Sequence, residues 1–212
     1  MSRIPNYKRA TNAAYQLLIQ NPTFSLSTNV FYFIEHYMSN AVLLSYGQAC
    51  FLYGFTIDLL LANSEFGFTI VKNNKRIILY NETCPMGCIR FTIAHEIGHA
   101  ILGHINEHDP CSEKEANCFA RNFLCPIPVV VALDCNTISD YIRLFNITKP
   151  MAIVSFDKRS ADQYYIKADL FNTVSQMLDS YIVDAYMFDC VGLHEDMHAP
   201  TSYHSLLTYL QA

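Results

Sequence analysis

No uninterrupted apolar run in this chain is long enough to cross a bilayer. The longest, Phe51 to Ala62, is broken by Asp58. The N-terminus, Met1 to Lys8, lacks the apolar core of a signal peptide. These absences predict a soluble cytoplasmic protein with no membrane partner. CxxC is missing too, and without an export signal the eight cysteines are expected to be reduced thiols. Cys84 and Cys88 read as small buried hydrophobes. The chain has no excess of basic residues: its net charge is −5, so direct nucleic-acid binding is not expected. There is no internal repeat and no low-complexity tract. What is present is an ordinary folding composition, 51% hydrophobic over 212 residues, enough for one sizeable core or two small domains.

The most informative stretch is Arg90 to His104, which contains His95-Glu96-Ile97-Gly98-His99. Two histidines four residues apart lie on one helical face, so both imidazoles can reach one metal ion. Glu96 leans over the same point and can take a proton from water there. Phe91, Ile93, Ala94, Ile97, Ala100, Ile101 and Leu102 make the remaining surface apolar, which predicts a buried helix. Arg90, on the same helix, is expected to pair with a carboxylate. The pattern alone is weak, because His194 to His198 repeats it. There Pro200 follows two residues after the second histidine, no long apolar stripe surrounds the motif and no Glu-bearing helix follows.

Around this stretch the chain reads as follows. Residues 8–20 form a helix, and a second runs through Val30 to Tyr37 with Ser25 or Ser27 as its cap. Ala41 to Tyr46 is a short buried strand, and Ala49 to Leu61 a helix. Residues 67–71 and 76–80 are β-rich on either side of a polar turn, a hairpin signal. Thr83 caps the metal-binding helix, with Pro85 near its first turn, and Gly103 ends it. A further helix covers Ser112 to Leu124 and stops at Pro126. Beyond it come helix, turn and helix over residues 138–158, then helix over 163–187, and no clear pattern in the last 25 residues. The expected fold class is α+β: a small twisted β-sheet, a zincin-like HExxH helix, a second Glu-bearing helix and a mostly helical C-terminal part. Residues 1–128 would form the core and 129–212 a helical extension packed on it, or the two one compact domain.

A catalytic zinc site needs a third protein ligand and leaves a fourth position open. Two glutamates follow. Glu113 lies roughly 50–60° from the centre of the stripe formed by Ala116, Phe119, Ala120 and Phe123, and Glu115 roughly 100° away on the other flank. Ser112 and Glu115 also fit a capping box, which gives Glu115 a structural task. A start at Asp109 and Pro110 would remove that second argument. Glu113 is favoured and Glu115 is the alternative. Cys111 and Cys118 flank this helix, but thiolates favour closed structural sites. His104, His108 and Tyr80 are candidates for substrate contact, weighed against surface and packing roles.

The run Arg90 to His99, followed by Glu113-Lys-Glu-Ala-Asn117 and on to Pro126, resembles the ImmA/IrrE family of zinc metallopeptidases. The resemblance is specific over residues 66–128 and loose on either side. Cys125 departs from the Met or Leu usual before the proline. The resemblance implies one Zn²⁺ per chain, held by His95, His99 and the first Glu of Glu-x-x-Ala-Asn, which is Glu113. It places Asn117 where related zincins orient a ligand histidine. It also implies a protein substrate, a helix-turn-helix transcriptional repressor cleaved by an anti-repressor of a phage or mobile element. Two other readings compete with this peptidase. One is a non-proteolytic binding module that sequesters a regulator around a structural metal. The other is DNA binding by residues 138–158, where basic residues stand only at the end of the second helix.

Overall fold

The structure, a computed structural model, describes residues 3–21, 24–72, 75–104 and 109–192. The second HExxH match and His108 lie outside these residues. The chain runs α1 (Tyr7–Leu18), α2 (Val30–Tyr37), β1 (Ala41–Ser45), α3 (Tyr46–Tyr53), α4 (Ile57–Asn63), β2 (Gly67–Lys72), β3 (Lys75–Tyr80), α5 (Met86–Ile101), α6 (Pro110–Leu124), α7 (Ile127–Ala132), α8 (Ile138–Phe145), α9 (Lys149–Tyr165) and α10 (Ala168–Gly192). This is an α+β architecture around one three-stranded sheet, in the order β1-β3-β2.

β2 and β3 form the antiparallel hairpin, with Gly67 opposite Tyr80 and Thr69 opposite Ile78. β1 pairs with the other side of β3 in parallel, Leu43 opposite Ile78. A parallel pair needs a long crossover, and α3, α4 and β2 supply it. Alternation along β3 separates two apolar clusters. Ile78 points into the main core, whereas Leu79 points to the opposite face and packs with Leu44, Tyr46, Ala49 and Leu60. The main core draws on α1, α2 and α5 to α10, from Ala10 through Phe119 and Phe123 to Leu178 and Ile182. Among the described residues no helix is long and apolar enough to cross a membrane.

Several local expectations are corrected by hydrogen bonding. Asn29, not Ser25 or Ser27, caps α2: its side chain accepts from the Tyr32 N–H at 3.2 Å, and a cap must stand immediately before the first helical residue. Residues 49–61 are not one helix, because α3 stops at Gly54 and Thr56 caps a separate α4. Thr83 does not cap α5. Its hydroxyl donates to Asn81 Oδ1 at 2.7 Å, while α5 begins after Pro85 with no side-chain cap. The capping box of Ser112 and Glu115 is absent too. Asp109 caps α6, accepting from the Ser112 N–H at 3.1 Å, and Pro110 is the first helical residue.

Among the described residues Arg90 has no carboxylate partner. Its buried guanidinium donates to three backbone carbonyls: Phe145 at 2.7 Å, Asn146 at 2.6 Å and Thr28 at 3.0 Å. The sequence expectation failed because carbonyls left open at the end of a helix offer a buried cation the same acceptors as a carboxylate. Arg90 thereby ties α5 to the segment before α2 and to the end of α8.

α5 and α6 cross closely at Gly98. A Cβ there would stand 3.1–3.2 Å from the Cδ1, Cβ and Cγ atoms of Phe119, which is fully buried. Phe119 cannot swing aside, since its own Cβ is among the close atoms. Gly98→Val should therefore push the two helices apart and cost on the order of 2–3 kcal/mol. Urea denaturation of the metal-free protein measures this, and an unchanged midpoint would refute it.

Candidate metal centre

His95 and His99 project from one face of α5, one turn apart, and Glu113 projects from the first turn of α6. Nε2 of His95 and Nε2 of His99 are 2.9 Å apart. Glu113 Oε2 lies 3.4 Å from the first, and its Oε1 3.4 Å from the second. These three residues can each present a ligand atom within 4.8 Å of the others. Ligand atoms about 2.0–2.2 Å from a tetrahedral zinc stand roughly 3.3–3.6 Å apart. The two carboxylate spacings match that, and the imidazole pair is a few tenths of an ångström tighter.

The hydrogen bonds on the far side of each ring decide which nitrogens face inward. His95 Nδ1 lies 3.0 Å from Asn117 Oδ1, one turn beyond Glu113 on α6. An amide oxygen only accepts, so His95 carries its hydrogen on Nδ1 and directs the Nε2 lone pair inward. His99 Nδ1 lies 3.0 Å from His104 Nδ1, and His104 Nε2 lies 2.9 Å from Glu115 Oε2. Two imidazole lone pairs and a carboxylate converging on one point repel unless a cation sits among them. The donor set therefore fits a divalent metal, and nitrogen and oxygen ligands of this kind suit zinc.

The nearby carboxylates draw positive charge toward His95, where a proton competes with a metal for Nε2. Burial opposes charge on His95, but its hydrogen bond with Glu113 and the nearby Glu96 outweigh that and raise its pKa. His99 is lowered, by burial first and by the facing His95 second. Glu96 is buried next to the pair, and burial raises its pKa against the opposing effects of His95 and of Thr69. The Thr69 hydroxyl, on edge strand β2, donates to Glu96 Oε2 at 2.6 Å. A carboxyl held above its ordinary range and oriented by one hydrogen bond is suited to exchanging protons near neutral pH. His99 is 1% exposed at its side chain but Glu113 is 41% exposed, so the site opens on the Glu113 side. An apolar cleft of about 370 Å³, lined by Phe91, Met151 and Val154, lies between α5, α6 and α9 and shares Asn117 with the site.

The remaining sequence candidates fall in different places. Glu115 is not with the Nε2 atoms of His95 and His99; it is buried beneath His104, where Asn6, His104 and Arg3 bind it. Tyr80 ends β3 with its ring edge-on to Phe31 of α2. Cys118 packs against Thr11 and Asn122, and burial pushes its thiol up to about 11; the Cys111 thiol donates to the Arg3 carbonyl. In α9, Met151, Ala152 and Ser155 are buried in the fold. Sequence reasoning missed Thr69 and the linkage of Glu115 through His104. Only His104, five residues past His99, left a trace in the sequence, and it lies beyond the helix whose periodicity guides such a reading.

Two histidines with converging Nε2 atoms and a buried carboxyl on one helix, a glutamate on the next and a small mixed sheet alongside make up a candidate metal centre. Residues 56–133 match the Peptidase_M78 family, described as the IrrE N-terminal-like domain. That stretch, from the cap of α4 to the end of α7, is thus similar to a peptidase-type domain of the IrrE kind and contains His95, Glu96, His99 and Glu113. A comparison with curated proteins finds no match.

Proposed function

We propose that this protein is a zinc-dependent endopeptidase acting on a specific protein, of the helix-turn-helix repressor class, as an anti-repressor. The observation that carries the reading is the convergence of His95, His99 and Glu113 beside the buried carboxyl of Glu96. His95 and His99 would hold the ion through Nε2, and Glu113 through its carboxylate. Bound there, zinc supplies Lewis acidity, lowering the pKa of water and polarising a carbonyl. Glu96 takes the proton of the attacking water and returns it to the leaving amine. Thr69 fixes the orientation of the Glu96 carboxylate, and Asn117 keeps His95 in its ligating tautomer. The repressor substrate is carried by the family resemblance rather than by a contact.

Incubation with a repressor encoded beside the gene should yield discrete fragments. A chelator should abolish them and added zinc restore them. Cleavage that persists in metal-stripped protein would overturn the metallopeptidase reading. A repressor bound but left intact by zinc-loaded protein would favour sequestration around a structural metal instead.

A further inference from the structure

We propose that Glu115 is a positioning residue of the metal centre, acting on His99 through His104. The inference rests on the zinc reading above and extends it to residues that touch neither metal nor substrate. Glu115 is 1% exposed and His104 4%, so both polar side chains are buried. The Glu115 carboxylate is held on several sides. Its Oε1 accepts the Asn6 backbone N–H at 2.7 Å, and its Oε2 accepts from Arg3 at 2.5 Å and faces His104 Nε2 at 2.9 Å.

The order of hydrogens along this chain follows from the donor inventory. An ionised carboxylate only accepts, so the hydrogen between Glu115 and His104 sits on His104 Nε2. A neutral His104 then has a lone pair on Nδ1, 3.0 Å from His99 Nδ1. That lone pair can accept only if His99 carries its hydrogen on Nδ1. The last consequence is that His99 Nε2 bears a lone pair and points at His95 Nε2 and Glu113. The carboxylate thus selects the ligating tautomer of a histidine it does not touch, by way of an interposed imidazole. Carboxylates commonly bond a ligand histidine directly, and losing such a partner typically costs about 10–100-fold in metal affinity or activity.

The test measures zinc affinity by chelator competition for wild type, Glu113→Ala, Glu115→Gln, His104→Ala and His104→Gln, with urea denaturation of each metal-free protein as the folding check. His104→Ala should bind zinc about 10–100-fold more weakly. Glu115→Gln should weaken binding at least several-fold, because one face of its amide turns a donor toward donors. His104→Gln should recover most of the affinity, since a glutamine oxygen can accept from His99 while its NH₂ donates to Glu115. A purely structural role would track the denaturation midpoints and show no such rescue. Wild-type affinity in both Glu115→Gln and His104→Ala would overturn the inference, as would a His104→Gln protein as weak as His104→Ala with an unchanged midpoint. If Glu115→Gln fails to fold, the two His104 variants still decide. Zinc binding that is weak in wild type, or indifferent to Glu113→Ala, would refute the metal reading itself and not merely its support.

Discussion

Glu96→Gln should retain zinc at the wild-type level and lose peptide cleavage by a factor on the order of 10²–10⁴. Glu96 is not one of the three residues whose ligand atoms converge, so metal content should not change. Glutamine has nearly the same shape and can still accept the Thr69 hydroxyl, so the side chain should stay where it is. What the amide cannot do is take a proton from water. The substitution should not destabilise the fold either. Burial holds the Glu96 carboxyl above its ordinary range, which means the folded state keeps it ionised at a cost. That cost is absent below the unfolded pKa and grows as pH rises toward the folded one, so at neutral pH a neutral isostere should be at least as stable. Fragment yield, metal content and the denaturation midpoint test the three parts, and undiminished cleavage would sink the assignment of Glu96 as the base. A variant that still relieves repression without cutting would point to sequestration.

Arg90→Ala should be the most destabilising single change near the site that touches none of the ligands. The substitution empties a buried position and leaves the carbonyls of Thr28, Phe145 and Asn146 without this donor. An unsatisfied buried acceptor costs about 1–3 kcal/mol, so a total of roughly 3–5 kcal/mol is expected. For a chain of this size that lowers Tm by roughly 10 °C or more. Arg90→Lys should recover only part, because one ammonium cannot spread over carbonyls from two separate segments as the guanidinium fork does. Thermal unfolding of the metal-free proteins measures both. A loss under about 1 kcal/mol in the alanine variant would show that water replaces the guanidinium.

These two residues mark how far the sequence could be read. Glu96 and its neighbouring histidines are local: the spacing defines a helical face, and the face defines a convergence point. Glu113 is nearly so, because the apolar stripe of its helix orients it toward the preceding one. The hairpin is equally local, and its alternation and polar turn announce it. Arg90 was legible as a buried cation but not as a ligand of carbonyls, since those carbonyls lie 55, 56 and 62 residues away. Helix starts were misassigned wherever several polar residues competed, as at Ser25, Ser27 and Asn29, because capping depends on backbone geometry as well as side-chain type. Glu115 looked like a local cap for the same reason. Its partners Arg3 and Asn6 are separated from it by 112 and 109 residues, beyond any window of periodicity.

That separation gives the site an uneven folding history. His95, His99 and Glu113 are contributed by two consecutive helices, and Glu113 stands fourteen positions after His99. A helix pair of this kind closes a short loop and belongs to the low-contact-order part of the chain. The N-terminal segment that secures Glu115 must instead be brought back across more than half the protein. The candidate cluster is thus a short-range structure whose fastening is long-range: α5 and α6 can meet before Arg3 and Asn6 close on Glu115 beneath His104.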